Sequence, residues 1–144
     1  MDLQIQTAKL HPDARLPKYS HEGAWGDLAA DLYSVEEATV APGTTALVPT
    51  GLAMAFPSEY GALVEDRSGL AVKGITTLAG VIDPGYRGEI KVVMTNVTRE
   101  PITLKAGDRI AQLRIVRRIQ AEFVAVESLD ETKRGAGGFG STGA

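Results

Sequence analysis

The segment Asp83-Pro-Gly-Tyr86, followed by Glu89-Ile-Lys-Val-Val-Met-Thr-Asn96, indicates how this chain folds. Proline followed by glycine at the two central positions of a four-residue segment is the chemistry of a type II turn. The run Glu89–Asn96 that comes after it is strand-like. We therefore expect a β-hairpin whose tip is Asp83–Tyr86.

Short strands and turns recur outward from this hairpin. Further strand-like runs are Leu3–Thr7, Thr45–Val48, Leu52–Phe56, Ile110–Val116 and Gln120–Val126. Strong turn segments separate the runs at intervals of roughly ten residues. Only Arg67–Lys73 favours a helical turn, with a serine as its cap. The pattern predicts an all-β sandwich, jelly roll or barrel of short strands with at most one short helix.

Size and charge limit the classes of function. A chain of 144 residues forms one domain, and its net charge of −3 argues against binding a nucleic acid polymer. The absence of cysteine excludes disulfides, thiolate metal sites and a cysteine nucleophile. The sequence has no signal-peptide pattern and no apolar run near the roughly 20 residues that span a bilayer. We expect a soluble, cytoplasmic protein.

The C-terminal segment Arg134-Gly-Ala-Gly-Gly-Phe-Gly-Ser-Thr-Gly-Ala144 has no apolar periodicity with which to build a core. We expect a folded domain over residues 1–131 and a mobile tail over residues 132–144. The tail carries a guanidinium for phosphate, a ring that stacks on a base, and hydroxyl and glycine N–H groups for phosphate oxygens. Composition alone favours a flexible terminus without function, and only the rest of the chain reverses that preference.

Three internal segments carry groups that could do chemistry. Arg67–Ala71 places a guanidinium and a hydroxyl at an expected helix start. The hairpin carries Asp83 at its turn, and the segment Gly107–Leu113 carries Gln112 on a strand. Each segment taken alone also fits an ordinary turn or a solvated strand.

Other catalytic and metal-binding patterns are missing from the sequence. His11 and His21 match no metal-ligand spacing. No Gly-x-Ser-x-Gly elbow and no Walker-type phosphate loop occurs. The histidines are therefore not expected to have a functional role.

Five segments, taken in chain order, resemble the five motifs of the trimeric dUTP pyrophosphatase (dUTPase) family. They are Ala30–Ser34, Arg67–Ala71, Gly80–Gly88, Gly107–Gln112 and Arg134–Gly143. Each motif alone is weakly specific, but five in order are highly specific. The resemblance implies a distorted jelly roll that assembles as a homotrimer. In it, one chain gives the hairpin of a site, a second the phosphate-binding motifs, and a third the closing tail.

The resemblance also implies a reaction: water attacks the α-phosphorus of dUTP and releases dUMP and pyrophosphate. Asp83 would position and activate the water, and Tyr86 would pack under the deoxyribose and leave no room for a 2′-OH. The phosphates would be held by Arg67, Ser68, Gly69 and Gln112. The uracil would be held by main-chain groups of Gly80, Val81, Ile82 and Lys91, with Thr77 standing where some members have asparagine.

The tail and a metal ion complete the implied site. Phe139 would stack on uracil, and the terminal phosphates would meet Arg134, Gly140, Ser141 and Thr142. A Mg²⁺ ion on the triphosphate would reach the protein through water at Asp31, for which Asp27 is a rival. Asp66 departs from the family pattern, because it places a negative charge next to the phosphate-binding arginine.

Two alternative functions remain open at this point. A dCTP deaminase shares the fold, but its catalytic glutamate would fall at Val93, which cannot carry a proton. A non-catalytic trimeric module that binds nucleotide as a signal is the other alternative.

Overall fold

The computed structural model describes residues 3–141 and 143, which contain ten strands and one short helix. In chain order the elements are β1 Gln6–Lys9, β2 Ala30–Tyr33, β3 Ala38–Val40, β4 Thr45–Ala55, β5 Tyr60–Glu65, α1 Ser68–Ala71, β6 Ile75–Leu78, β7 Val81–Ile82, β8 Glu89–Asn96, β9 Ile102–Leu104 and β10 Arg109–Arg117. None of the described residues belongs to a helix that is long and apolar enough to cross a membrane.

The described strands form three antiparallel sheets. Two sheets have four strands each, in the orders β1-β4-β8-β6 and β2-β10-β5-β7, and the third pairs β3 with β9. All three sheets contribute to one apolar core, which includes Leu32, Val40, Val48, Val92, Leu104 and Leu113. The all-β jelly-roll prediction is therefore confirmed, with open sheets rather than a closed barrel over the described residues.

The predicted turn at Asp83–Tyr86 is present, because the Tyr86 N–H donates to the Asp83 carbonyl at 3.1 Å. Its two flanking segments, however, do not pair with each other. β8 pairs with β6, and β7 lies within the loop between them and pairs with β5 of the other sheet. The hairpin is therefore longer than predicted, because β7 turns away from β8 to close the second sheet.

The runs predicted as two strands over Thr45–Val48 and Leu52–Phe56 belong to the single strand β4. A bulge replaces the predicted break: Pro49 is opposite Lys91, whereas Ala53 is opposite Glu89. The left-handed φ of +70° at Gly51 accommodates the extra residues.

The strand predicted at Gln120–Val126 is wrong, since these residues belong to no strand and are exposed. The Arg118 N–H donates to the Glu59 carbonyl at 2.7 Å just before this segment. A strand needs a neighbour, and none of the described strands pairs with this one. The large apolar side chains of residues 119–129 are exposed to solvent: Ile119, Phe123, Val124, Val126 and Leu129.

Asn96 connects the small sheet to the core. Its side chain is fully buried, and its Nδ2 donates to the carbonyls of Val40 at 3.0 Å and Glu100 at 2.7 Å. Its Oδ1 accepts from the Thr98 N–H at 2.9 Å and from the Thr98 hydroxyl at 2.7 Å. One amide thus fixes the end of β8, the edge of β3 and the turn that leads to β9.

We expect Asn96→Ala to lower the free energy of unfolding by about 2–4 kcal/mol, because it leaves buried polar groups without partners. Urea denaturation at one protein concentration measures the loss. The control Thr103→Ala removes an exposed hydroxyl pair with Thr39, 3.0 Å apart, and should change stability by less than about 0.5 kcal/mol. Equal losses in the two variants would contradict the role of Asn96.

Candidate active site

A polar cleft of about 460 Å³ opens where β2, β10 and the start of α1 meet. It brings together four of the predicted site residues: Asp31, Arg67, Ser68 and Gln112. These residues come from three separate predicted motifs. The fold therefore joins, within one chain, the groups expected to hold phosphates and the metal-facing carboxylate.

The register of β10 with its two neighbours sets this arrangement. Gln112 is opposite Asp31 of β2 on one side and opposite Glu65 of β5 on the other. Directly opposite residues in antiparallel strands project from the same face of the sheet. Arg67 follows Glu65 by two residues and so enters the cleft at the same end of the sheet.

The buried carboxylate of Asp31 is the centre of the cleft. Its Oδ1 accepts from Arg67 Nε at 3.2 Å, and its Oδ2 accepts from the Ser20 hydroxyl at 2.8 Å. Arg109 Nη1 lies 3.7 Å from the same Oδ2. Arg67 Nη1 also donates to the Arg109 carbonyl at 3.4 Å. Hydrogen bonds thus hold the Arg67 guanidinium beside the carboxylate, the half-exposed Arg109 guanidinium lies near it, and both line the cleft.

Asp66, which departs from the family pattern, is directed away from the cleft. Its carboxylate accepts from the Thr76 hydroxyl at 2.6 Å and from the Thr77 N–H at 2.5 Å, both on β6. Burial raises the pKa of Asp66, but these hydrogen bonds outweigh it and hold the pKa below its usual value. The Asp66 carbonyl accepts from Gln112 Nε2 at 2.7 Å, which fixes the orientation of that amide.

The helical turn was predicted with a serine as its cap, and this detail is wrong. Arg67, in an extended conformation, occupies the N-cap position, and no side chain caps the helix. Ser68 and Gly69 are consequently exposed at the start of α1. A Cβ built on Gly69 would meet no atom within 4 Å, so space for a ligand is open above it.

The loop with Asp83 and Tyr86 lies outside this cleft, whose described lining includes neither residue. Asp83 is exposed, and the Tyr86 hydroxyl donates to the Glu89 carbonyl at 2.7 Å. The Tyr86 ring covers Gly88, where an added Cβ would lie 2.5 Å from the tyrosine oxygen. The loop therefore presents a carboxylate and a fixed aromatic ring to solvent.

The segment predicted to hold uracil runs along the edge of the second sheet. The Gly80 carbonyl accepts from the Val64 N–H at 2.8 Å, and Val81 and Ile82 pair with β5. Gly80 has a φ of +111°, and a Cβ there would lie 2.5 Å from the Val64 carbonyl oxygen, so only glycine fits. Lys91 is exposed on β8, in the other sheet.

The described part of the tail forms successive turns. Arg134 Nε donates to the Gly137 carbonyl at 2.7 Å, and the Gly138 N–H donates to the Ser141 hydroxyl at 2.8 Å. The ring of Phe139 is fully exposed. Gly140 follows with a φ of +80°, and Thr142 lies outside the described residues.

Sequence reasoning missed several groups that line the cleft. Arg109 lies inside a predicted motif, but its role beside Asp31 had no signal of its own. Ser20 and His21 had none either, because they contact Asp31 and Asp27, eleven and six residues away, across a segment without regular secondary structure. His21 donates its N–H to Asp27 Oδ2 at 2.8 Å, and its ring Nδ1 lies 3.0 Å from Oδ1. These contacts lower the pKa of Asp27 and engage the carboxylate that was the rival metal-facing group.

Comparisons with known proteins agree with the family resemblance of the five sequence motifs. A family model described as dUTPase matches residues 13–143. The deoxyuridine 5'-triphosphate nucleotidohydrolase of Wolinella succinogenes is 51% identical, and the match covers 98% of this chain and 95% of that protein. The protein of the same name from Thermobifida fusca is 48% identical, with 98% and 79% covered.

A solved structure is also similar. It is a mutant dUTPase of Staphylococcus bacteriophage 80alpha with dUpNHpp. The two chains are 26% identical and superpose with a TM-score of 0.87, over 98% of this chain and 99% of the other.

We expect Asp66→Asn to lower the free energy of unfolding by roughly 1 kcal/mol at pH 7, since solvent screens this partly exposed group. A lowered pKa in the folded state stabilises the fold above the pKa of the unfolded chain, and this contribution is lost as the pH falls. The difference between the two proteins should therefore shrink below about pH 4. Urea denaturation at several pH values measures it, and a difference that is constant down to pH 3 would contradict the assignment.

Proposed function

The chain belongs to the dUTPase family, and we propose that it hydrolyses dUTP to dUMP and pyrophosphate with Mg²⁺ bound to the substrate. The observation that carries the proposal is the cleft in which Arg67, Ser68 and Gln112 surround Asp31. In the cell we propose that this cytoplasmic reaction supplies dUMP for dTMP synthesis and keeps uracil out of DNA.

The cleft supports binding of the phosphates. Arg67 is oriented by Asp31 and Gln112 by the Asp66 carbonyl, so both side chains are ordered before substrate arrives. Charge-assisted hydrogen bonds from a guanidinium to phosphate oxygens are short and strong. Ser68 and Gly69 add an exposed hydroxyl and exposed backbone beside them. Prior ordering lowers the entropic cost of holding the triphosphate in one position.

Asp83 is proposed to orient the attacking water. Hydrolysis at phosphorus requires an oriented water and donors for the charge that spreads over the phosphate oxygens, and it requires no covalent nucleophile. The exposed Asp83 carboxylate has room for a water on the loop that also presents Tyr86. Tyr86, held over Gly88 through its bond to Glu89, is proposed to pack under the deoxyribose and exclude a 2′-OH.

The remaining substrate groups are proposed to be held as follows. β7 is the last described strand of its sheet, so main-chain groups of Gly80–Ile82 on the side away from β5 suit the polar edge of uracil. Further proposed contacts come from Thr77, Lys91, Arg134, Phe139, Gly140, Ser141 and Thr142. The tail residues among them would close over the bound nucleotide and exclude bulk water.

The donor groups in the cleft fit a magnesium ion that is held mainly by the substrate. No group of three metal-ligating side chains occurs among the described residues, and Asp31 already accepts from Ser20 and Arg67. Mg²⁺ retains several waters and commonly takes only one or two carboxylates together with substrate phosphates. Asp31 is therefore proposed to contact the ion through one of the waters that Mg²⁺ retains. When bound, the ion neutralises charge on the phosphate oxygens.

The apolar side chains of residues 119–129 support the proposed homotrimer. Five large apolar side chains of this segment, which we call the arm, are exposed to solvent. An exposed apolar surface of this kind is typical of an interface, and a second copy of the chain would cover it. From Arg118 to Arg134 an extended chain spans up to roughly 50 Å, which is long enough to carry the tail to a neighbouring site. A shared site also accounts for the separation of Asp83 from the cleft of its own chain.

The two alternative functions are less well supported. Val93 lies between Leu47 and Leu78 on neighbouring strands, so the position of a deaminase glutamate is apolar and flanked by apolar residues. Such an environment cannot move a proton to a pyrimidine ring. A non-catalytic module would have no use for the exposed Asp83, and the next experiment tests that residue.

We expect Asp83→Asn to lower kcat by about 10²–10⁴, which is typical for loss of a general base, while dUTP still binds. The exposed control Asp130→Asn should retain wild-type activity. Product separation after incubation with dUTP, dCTP and UTP in Mg²⁺ measures the rates, and calorimetry measures binding. Full activity of Asp83→Asn would refute its role, and release of dUTP from dCTP would identify a deaminase.

We further expect two inactive variants to restore activity when they are refolded together. One carries Asp83→Asn with its tail intact, and the other retains Asp83 but ends at Lys133. Mixed trimers would contain sites that take Asp83 from one chain and the tail from another, so activity should exceed the sum of the separate preparations. As a control, a chain with both defects mixed with full-length Asp83→Asn should remain inactive. No restoration at any ratio would contradict the shared site.

A further inference from the structure

A second polar cleft of about 460 Å³ adjoins the phosphate-binding cleft. Its walls come from the loop before β2, from β2 itself and from the turn before β10. The lining residues that matter here are Arg15, Lys18, Ser20, Tyr33, Asp108 and Arg109. Ser20 and Arg109 line both clefts, so the two spaces are neighbours across these side chains.

The charge of the second cleft is positive. Arg15, Lys18 and Arg109 contribute three cations, against the single carboxylate of Asp108. That carboxylate accepts from the Lys105 N–H at 2.8 Å and so closes its own turn. An anion entering this cleft would therefore meet Arg15 and Lys18 together with Arg109, whose charge is partly offset by Asp31 at 3.7 Å, and one carboxylate that is already hydrogen-bonded.

One of the cations has an ordered position, and the backbone of a second is fixed. The Arg15 guanidinium lies over the Tyr33 ring, 5.7 Å from its centroid, and a Cβ on Gly107 would lie 2.9 Å from Arg15 Nη2. The backbone of Lys18 is fixed to β2, because it exchanges hydrogen bonds with Asp31 at 2.8 and 3.3 Å. Because the Arg15 guanidinium is already ordered, it loses less conformational freedom when it binds a ligand.

Arg109 joins the two clefts. Its side chain is half-exposed, and its Nη1 lies 3.7 Å from Asp31 Oδ2. The Arg109 guanidinium therefore lines the first cleft together with Arg67 and the second together with Arg15 and Lys18.

We propose that the second cleft is a subsite for pyrophosphate, which the product occupies after it leaves the phosphate-binding cleft. This inference rests on the proposed function, because dUTP hydrolysis supplies the pyrophosphate. Of the two products, pyrophosphate consists only of phosphate groups, and the cleft offers it guanidinium and ammonium donors. The subsite takes no part in the chemical step, so it affects product binding and leaves the binding of dUTP unchanged.

Calorimetric titration of the full-length protein with pyrophosphate, at constant ionic strength, tests the subsite directly. Arg15→Gln combined with Lys18→Gln should raise the Kd for pyrophosphate roughly ten-fold, the loss expected for two exposed charge contacts. The control Lys9→Gln with Arg99→Gln removes the same charge outside both clefts and should leave the Kd within two-fold. An unchanged Kd, or an equal rise in the control, would overturn the proposal.

Kinetics with dUTP separates a product subsite from a part of the substrate site. We expect the KM for dUTP to change less than two-fold in the double variant, while inhibition by added pyrophosphate weakens in parallel with the Kd. A parallel rise in KM would overturn the proposal, since the cleft would then bind substrate. Lys18→Gln alone, which leaves the Arg15–Tyr33 contact intact, should show roughly a three-fold rise in Kd if the double variant does not fold.

The calorimetric experiment does not depend on turnover. If the wild-type protein bound pyrophosphate through Arg15 and Lys18 but failed to hydrolyse dUTP, the proposed function would fall while the anion subsite remained. If the protein hydrolysed dUTP but its Kd for pyrophosphate did not depend on Arg15 and Lys18, only the proposed subsite would be refuted.

Discussion

The pairing of β10 with β2 on one side and with β5 on the other is the constraint on which the site depends. It places Gln112 level with Asp31 and Glu65, and it brings Arg67 to the same end of the sheet. A slip of one residue would turn every side chain of β10 to the opposite face. Because Ile110, Ala111 and Leu113 are buried in the core, such a slip would also expose apolar surface, so core packing keeps the side chains of the cleft in register.

Electrostatics within the cleft follow from that register. A buried carboxylate costs several kcal/mol of desolvation unless charged and hydrogen-bonding partners surround it. Asp31 has such partners in Arg67, Arg109 and Ser20. The same contacts orient the Arg67 guanidinium in the cleft, so the stability of the fold and the arrangement of the candidate site share one set of interactions.

Local sequence patterns correctly predicted the all-β class and the turn at Asp83. Local patterns could not predict which strands, distant in the sequence, pair with one another. Residues 120–126 have a strand-like composition, but no partner strand for them occurs among the described residues. In β4, the strand continues through Thr50, whose hydroxyl donates to the Ile90 carbonyl at 2.6 Å. The roles of Ser20 and Arg109 likewise depend on side chains that meet only after folding.

The exposed apolar segment of residues 119–129 has a thermodynamic consequence for the whole protein. When a folded chain leaves such surface in water and a second chain covers it, folding and assembly become parts of one equilibrium. Stability then varies with the amount of protein present, and dilution acts in the same direction as heating. A newly synthesised chain that has not yet met other copies would also expose this apolar surface and be prone to aggregation. The rate of assembly would then affect how much of the protein remains folded.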